Sequence, residues 1–287
     1  LERLVFVQPS PKAFFTVNKA GQCLKINQFA ASNKSTLTHG NMRFVWRLED
    51  GFSSTDTNIV HSFAKHGDFK MQLWVSSQYD CVDSFNATVL VHPEPTALFS
   101  VNDASQCVKG NRFLFNNLSS IDSTVMSYTW MFDDGDSSKL KSPIHQFKLF
   151  GNYKVGVMAK SIYNCQDSFM KLMVVSPMPN AAFTVNDSDQ CINAQSFNFN
   201  NASSIQAGTL NQHLWLLNGQ VLALWNVNNY KFNQIGLLPI RLIETSDSLC
   251  SDTAYSNVTI YPKPKADFSI NDTAQCLTGN LFVLRST

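Results

Sequence analysis

The chain has 287 residues, a formal net charge of +1 and 15% charged residues. This balance provides neither a basic stripe for nucleic acid nor an acidic tail, so we expect no nucleic-acid partner. No apolar run approaches the roughly 20 residues that span a bilayer, and we expect no transmembrane segment in this chain.

One phrase, P-x-P-x-A-x-F followed by Q-C, recurs along the chain. It occupies residues 8–23, 92–107, 176–191 and 261–276. Self-similarity at a fixed period indicates an array of like modules, and about 85 residues suits a complete small domain. We predict modules at 9–92, 93–176 and 177–261. Residues 262–287 would begin a fourth module, and 1–8 would be the last strand of a preceding one.

The second module illustrates the predicted elements in chain order. TALFSV, RFLFNNLSS, MSYTWMF, NYKVGVMAKS and SFMKLMVV alternate apolar and polar residues between turn-forming residues. Such period-2 patterns predict strands, and no stretch shows sustained helical periodicity. Six or seven short strands per module predict an all-β sandwich. The P-x-P pairs predict semi-rigid joints, so we expect the modules to form an extended rod.

Aromatic residues recur at matching positions of the three modules. Strand alternation places these residues in the core: Trp46, Trp130, Trp215, Phe63, Phe147 and Phe232. Trp74 and Trp225 do not recur, so if exposed they are candidates for stacking on a ligand such as a sugar. His61 and His145 align just before two of the phenylalanines, which favours a structural hydrogen bond over a catalytic or ligand role.

The stretch YTWMFDDGDSSKLKSPIHQFKLFGNYKVGVMAKS resembles the W-x-F-G-D-G…P-x-H-x-Y…G-x-Y-x-V core of PKD (polycystic kidney disease) domains. The paired QC and C-x-D-S motifs, with the proline joints, are similar to PKD arrays in giant secreted surface adhesins of gliding Bacteroidetes. The resemblance covers almost the whole chain. It implies immunoglobulin-like sandwiches, an extracellular location, a spacer or adhesive role, and no catalysis by the modules themselves.

The third module departs from the family pattern. WLLNGQVLALW loses the acidic residue-glycine turn of the first two modules, and Pro239 falls inside a predicted strand. Proline cannot donate to a sheet ladder and usually lies at an edge or a bulge. The sequence therefore leaves the conformation of this region open.

The seven cysteines form two series. The QC cysteines are Cys23, Cys107, Cys191 and Cys276, and the C-x-D cysteines are Cys81, Cys165 and Cys250. Their regular use outside any metal-binding spacing favours disulfides in an oxidising compartment. Pairing within each module, Cys23–Cys81, Cys107–Cys165 and Cys191–Cys250, is one possibility, and free thiols are another.

The PKD-like topology favours pairing across the joints. In such a sandwich the first and last strands run in the same direction, so the two series lie at opposite ends of a module. An eight-residue strand spans about 26 Å, whereas a disulfide joins Cα atoms within about 7 Å. We therefore favour Cys23–Cys165 and Cys107–Cys250, with the partners of Cys81, Cys191 and Cys276 outside this chain.

Other candidate sites are weaker. Asp133, Asp134 and Asp136 have the chemistry of a calcium site, but the other modules lack the cluster and a solvated turn explains it as well. Asp-Thr-Ala sequences resemble an O-glycosylation motif and place sugar on Thr253 and Thr273. No constellation of catalytic residues repeats between modules.

These observations predict a structural segment of a long extracellular filament or adhesin, a stiff spacer serving adhesion or gliding motility. Its expected partners are neighbouring PKD modules, surface polysaccharide and other outer-membrane proteins. The alternative is a set of polysaccharide-binding accessory modules of a secreted hydrolase or adhesin. We expect no cofactor.

Overall fold

The computed structural model describes residues 7–122 and 124–286. Most of the strand predicted at 1–8 therefore lies outside the described residues. The described chain consists of β-strands and connecting turns, with one 3-10 turn at Leu24–Ile26. Within this part of the chain, no helix is long and apolar enough to cross a membrane.

Among the described residues, each of the three predicted modules contains eight strands, more than the six or seven that the sequence pattern predicts. The first module contains β1 (Phe15–Val17), β2 (Gly21–Cys23), β3 (Phe29–Asn33), β4 (Met42–Leu48), β5 (Ser53–Ser54), β6 (Ile59–His61), β7 (Gly67–Ser77) and β8 (Val82–His92). The second contains β9 (Phe99–Val101), β10 (Ser105–Cys107), β11 (Phe113–Asn117), β12 (Met126–Met131), β13 (Ser137–Ser138), β14 (Ile144–His145), β15 (Gly151–Ser161) and β16 (Gln166–Ser176).

The third module contains β17 (Phe183–Val185), β18 (Asp189–Cys191), β19 (Phe197–Asn201), β20 (Leu210–Leu217), β21 (Gln220–Leu222), β22 (Val227–Tyr230), β23 (Gly236–Ser246) and β24 (Ser251–Tyr261). A final hairpin comprises β25 (Phe268–Ile270) and β26 (Leu284–Ser286).

Each set of eight strands forms a three-stranded and a five-stranded sheet, the two layers of a β-sandwich. In the first module the orders are β1-β3-β6 and β2-β8-β7-β4-β5, and the other two modules repeat them. Strand β2 runs parallel to β8, and β18 runs parallel to β24. The fold is therefore a tandem series of immunoglobulin-like sandwiches.

The chain also divides into two compact units. One comprises Leu1–Ala104, Arg112–Gln146 and Asn152–Val174, and the other comprises Ser105–Asn111, Phe147–Gly151 and Val175–Thr287. The module bounds 9–92, 93–176, 177–261 and 262–287 remain predictions from the sequence repeat, and we use them below as names for these segments.

The predicted core residues are all buried. Trp46, Trp130 and Trp215 are fully buried, and the recurring phenylalanines Phe63, Phe147 and Phe232 are between 1% and 7% exposed. Each tryptophan Nε1–H donates to a loop carbonyl, at 2.9 to 3.0 Å. The indole thus fills the sandwich and satisfies its polar atom, as buried tryptophan generally requires.

A buried amide side chain fixes the loop after the second strand in every module. The Asn27 amide donates to the Phe63 carbonyl and accepts the Phe63 N–H, at 3.0 and 2.7 Å. Asn111 does the same for Phe147, and Gln195 for Phe232. These groups satisfy backbone atoms that the sheet leaves unpaired, which buried polar groups require.

Pro239 lies inside β23, which is a central strand between β24 and β20 and not an edge strand. In the second module the corresponding N–H, of Lys154, donates to the Asp133 carboxylate at 2.9 Å rather than to a neighbouring strand. Asn218 replaces that aspartate in the third module, and its own N–H donates to the Pro239 carbonyl at 2.9 Å. A proline is tolerated here because β20 has already ended at this point, so its missing N–H removes no ladder bond.

The turn that the third module was expected to lose is instead replaced by a shorter one. Asn218 and Gly219 have φ of 51° and 89° and connect β20 to β21 with Leu217 paired to Gln220. Two central residues with positive φ are typical of the type I′ hairpin turn, for which Asn-Gly is a favoured sequence. The departure from the family pattern is thus a tighter turn rather than a broken strand.

Candidate functional site at the module joints

The structure joins Cys23 to Cys165 and Cys107 to Cys250, the two pairs that the sequence analysis favoured. The S–S distances are 2.07 and 2.01 Å, and the Cα atoms lie 5.5 and 5.7 Å apart. Each bridge connects one predicted module to the next, and each lies within a single compact unit. The within-module pairs Cys23–Cys81, Cys107–Cys165 and Cys191–Cys250 do not form in this structure.

Strand direction explains these pairings. Because β2 runs parallel to β8, Cys23 lies beside His92, the last residue of the first module. Cys81 lies at the other end of β8, in the turn between β7 and β8, about 36 Å away for an 11-residue strand. A disulfide cannot span that distance. Cys165, in the corresponding turn of the second module, is the cysteine within reach of Cys23.

Three cysteines have no disulfide partner among the described residues. Cys81 is half-buried, and Cys191 and Cys276 are exposed. Cys191 lies beside Tyr261, at the same position relative to the third module as Cys23 holds in the first. That these three pair with cysteines outside this chain stays a prediction.

Asp167, two residues after Cys165, holds the first joint together. One carboxylate oxygen accepts the Ala97 N–H at 2.9 Å, and the other lies 2.9 Å from Lys25 Nζ of the first module. The Ala97 N–H and then the Lys25 ammonium hold the pKa of Asp167 below its usual value. The hydrogen bond to Asp167 raises the pKa of Lys25, and Glu94 accepts the Lys25 N–H at 3.0 Å.

This aspartate was missed as a site residue in the sequence, although its signal is the C-x-D motif itself. Asp83 accepts the Ala13 N–H at 2.8 Å, and Asp252 accepts the Ala181 N–H at 3.0 Å. The aspartate of C-x-D thus anchors the alanine of P-x-P-x-A in all three modules. The two recurring motifs are therefore two halves of one contact at the start of each module.

Aromatic and histidine side chains add further contacts at the first joint. The rings of His92 and Tyr163 stack with centroids 3.9 Å apart, and His66 Nε2 lies 3.3 Å from an Asp122 carboxylate oxygen. A cleft of about 350 Å³ beside the disulfide is lined by Lys19, Gly21, Gln22, Cys23, Ile26, His92, Tyr163 and Asn164. A Cβ on Gly21 would lie 2.7 Å from His92 Nε2, which is closer than real Cβ contacts. The glycine therefore leaves room for the His92 imidazole.

The two tryptophans predicted as ligand platforms are partly exposed. Trp74 is 38% exposed on β7, and Trp225 is 46% exposed in the loop after β21. The Trp225 ring packs edge-on against His213, with centroids 4.5 Å apart. The exposed part of each indole is available for stacking on a ligand.

The three aspartates considered for calcium do not act as one group. Asp134 and Asp136 have ligand atoms within 4.8 Å of each other and of His145, whereas Asp133 accepts the Lys154 N–H. His145 Nε2 lies 2.7 Å from Asp134, and His61 Nε2 lies 2.6 Å from Asp50. The histidine–aspartate contact recurs in the first two modules. Asp136 does not recur, because Phe52 occupies its position in the first module. The geometry therefore matches a histidine–aspartate pair that stabilises a turn.

The two threonines of the predicted O-glycosylation motif differ in accessibility. Thr253 is half-buried within β24, paired with Ile243, and Thr273 is exposed. Modification of either residue stays a prediction.

Two sheets per module, one hydrophobic core in each, and disulfides across the joints define a tandem array of immunoglobulin-like sandwich modules. The family model described as PKD domain matches residues 8–92 and again residues 92–176. Because these matches cover more than half of the chain, the protein belongs to the PKD domain family. A comparison with curated proteins gives no match.

Solved structures of repeated β-sandwiches are similar to this chain. The N-terminal eight immunoglobulin domains of Down syndrome cell adhesion molecule align over 90% of this chain and 37% of that chain, with 9% identity and a TM-score of 0.56. This chain thus spans little more than a third of that structure. A PKD domain of the Vibrio cholerae metalloprotease PrtV is 23% identical over 29% of this chain and 96% of that chain, with a TM-score of 0.26.

Proposed function

We propose that this chain is a structural segment of a long extracellular cell-surface filament or adhesin, in which PKD modules serve as a stiff spacer for adhesion or gliding motility. The observation that carries the proposal is that each disulfide joins one module to the next. PKD and immunoglobulin-like repeats are typically non-catalytic modules, and the proposal assigns this chain a mechanical role.

The disulfides support both the location and the mechanical role. Disulfides persist in oxidising, extracellular environments. The bridged cysteines are 142 and 143 residues apart in sequence, and closing so long a loop stabilises the folded state by about 4–5 kcal/mol in the chain-entropy model. A covalent bond beside the Pro93 and Pro177 joints also limits how far adjacent modules can bend.

Small-angle X-ray scattering on the oxidised and reduced chain tests the spacer. A rod of three modules would be about 100 Å long, with a radius of gyration of about 30 Å, whereas a compact globule of this length has about 19 Å. We expect the larger value when oxidised and a broader distribution of distances in a Cys23→Ser, Cys107→Ser variant. Cys81→Ser is the matched control and should change nothing. A radius near the globular value would refute the proposal.

A second candidate is polysaccharide binding, which the exposure of Trp74 and Trp225 favours. Pull-down of the oxidised chain with insoluble polysaccharide tests it. Binding that Trp74→Ala or Trp225→Ala abolishes, and that Tyr79→Ala leaves intact, would support this function. Tyr79 is the control because it is also an exposed aromatic residue, at 49%.

A further inference from the structure

The outer face of the second module's five-stranded sheet carries an exposed apolar patch away from the joint. Met131, Met170 and Leu172 are 45%, 59% and 49% exposed, and Met158 is half-buried on the same face. We call these four residues the methionine patch, and all of them lie within one compact unit. Contiguous exposed apolar side chains on a soluble domain often mark an interaction site.

Gly156 lies at the centre of this patch, in the middle of β15. Its strand pairs with β12 without a register shift, and its φ is not in the left-handed region, so neither a bulge nor backbone strain requires a glycine. A Cβ there would lie 3.3 Å from Met170 Cγ and 3.8 Å from its Cε. Glycine weakens a strand interior and often marks a place where another group approaches closely. Here it allows Met170 to lie across the strand.

The other modules interrupt the same row of residues with polar groups. Across the three central strands, the second module has Met131, Gly156 and Met170. The first module has Arg47, Gln72 and Asn86. The third module has Leu216, Arg241 and Tyr255, with the guanidinium 5.5 Å from the ring centroid. The apolar row is therefore specific to the second module and is not required by the fold.

The charges around the patch are basic. Lys154 and Lys160 lie on the same face of β15, on either side of Gly156 and about 20 Å apart along the strand. Among the outward-facing residues of β12, β15 and β16, all within the described chain, none is acidic. Asp133 lies beyond the end of β12, and its carboxylate accepts the Lys154 backbone N–H. Two copies of this face brought together would oppose lysine to lysine.

We propose that the methionine patch is a docking surface for an amphipathic segment of a partner polypeptide, whose apolar stripe is flanked by carboxylates. Methionine side chains are flexible and polarisable, so they repack around an apolar partner. The two lysines select carboxylates at both ends of the segment. A helix laid along β15 would need about 13 residues to reach from one lysine to the other.

Methyl NMR of the full oxidised chain, labelled with ¹³C at the methionine methyl groups, tests this proposal. The probe is an amphipathic helical peptide of about 15 residues, with leucines on one stripe and glutamates near both ends. We expect its addition to shift the methyl signals of Met131, Met158 and Met170. The signals of Met71 and Met173, which are fully buried, should stay in place. A peptide with lysines in place of the glutamates should bind roughly tenfold more weakly.

The variant Met131→Gln, Met170→Asn makes the row polar without changing its charge and should weaken peptide binding by about tenfold or more. Both positions are exposed, so an unchanged melting temperature will show that the variant folds. Val60→Thr, at a 57% exposed position of the first module, is the control and should bind like the original chain.

Four results would overturn the proposal. They are an absence of methyl shifts, equal shifts with both peptides, larger shifts with phosphatidylglycerol vesicles than with the acidic peptide, and concentration-dependent dimers whose formation shifts the same methyl groups. The third result would indicate a lipid surface, and the fourth would indicate a second copy of this chain.

Discussion

The second and third modules place different chemistry at the same point of the same fold. In the second module Tyr128 pairs across the strands with Ala159, which is fully buried. In the third module the corresponding pair is His213 and Glu244, and the glutamate is also fully buried. His213 Nδ1 lies 2.7 Å from one Glu244 oxygen, and the Asn201 amide donates to the other at 2.6 Å.

The difference shows how a buried carboxyl group becomes tolerable in a PKD sandwich. The counterpart of Asn201 in the second module is Asn117, whose Nδ2 is buried and has no hydrogen-bond partner among the described residues. An unsatisfied buried donor is costly, and Glu244 removes that cost in the third module. The third module thus exchanges an apolar contact and an orphaned amide for a connected polar network, which is stable only if all its members are present.

The largest effect should come from breaking that network. Glu244→Ala leaves both the Asn201 amide and the His213 ring without their partner, and removing one member of a buried polar pair costs about 3–5 kcal/mol. We expect the free energy of unfolding to fall by that amount in urea titrations followed by tryptophan fluorescence. Glu244→Gln, which keeps an acceptor for Asn201, is the control and should lose less. Equal losses in the two variants would contradict a specific role of the carboxyl group.

The second test transfers the network to the second module. Ala159→Glu alone should be strongly destabilising, because a buried carboxyl group would face Tyr128 instead of a histidine. Adding Tyr128→His should recover about 1–3 kcal/mol, since Asn117 is already positioned as a donor. A double-mutant cycle in urea measures the coupling. Strictly additive effects would mean that the third module depends on features beyond these three residues.

A smaller effect is expected from substitutions at Pro239, where the second and third modules differ. Pro239→Lys restores an N–H in the third module, where Asn218 offers no carboxylate to accept it, and Asn218→Asp should supply one, as Asp133 does for Lys154. We expect a favourable coupling of about 1 kcal/mol between the two substitutions in a thermal-unfolding cycle. Lys231→Ala in place of Pro239→Lys is the control, and it should show no coupling to Asn218→Asp.

The smallest effect concerns pH at the first joint. The Ala97 N–H and the Lys25 ammonium lower the pKa of Asp167 in the folded state. Its contribution to stability is therefore present above the unfolded value of 3.8 and is lost as pH falls through the folded pKa. The Asp167 side chain is 27% exposed. We therefore expect it to contribute less than about 1 kcal/mol to the free energy of unfolding.

Thermal unfolding between pH 6 and acid pH, compared with Asp167→Asn, measures the contribution of Asp167. The asparagine variant should lose less stability on acidification, whereas Asp68→Asn, at an exposed aspartate of β7, should follow the original chain. A slope unchanged by Asp167→Asn would exclude this contact as a source of acid sensitivity.

Much of the fold was predictable because the same sequence pattern recurs in each module. Alternation located the long strands, and recurrence marked Trp46, Trp130 and Trp215 as core. The two-residue strands β5 and β13 escaped prediction because Ser53–Ser54 and Ser137–Ser138 carry no apolar alternation. Asp167 escaped, although C-x-D recurs, because the motif does not show which backbone N–H the carboxylate accepts.

The sequence by itself determined the class of fold and the chemistry of the joints, because period-2 alternation and regular cysteines are local signals that every module repeats. Tertiary structure alone decided which long-range groups meet: Glu244 with Asn201, Asp167 with Lys25, and Met170 over Gly156. Those contacts join residues on different strands, and their distances depend on strand register and direction. Neither strand register nor strand direction can be inferred from a single stretch of the chain.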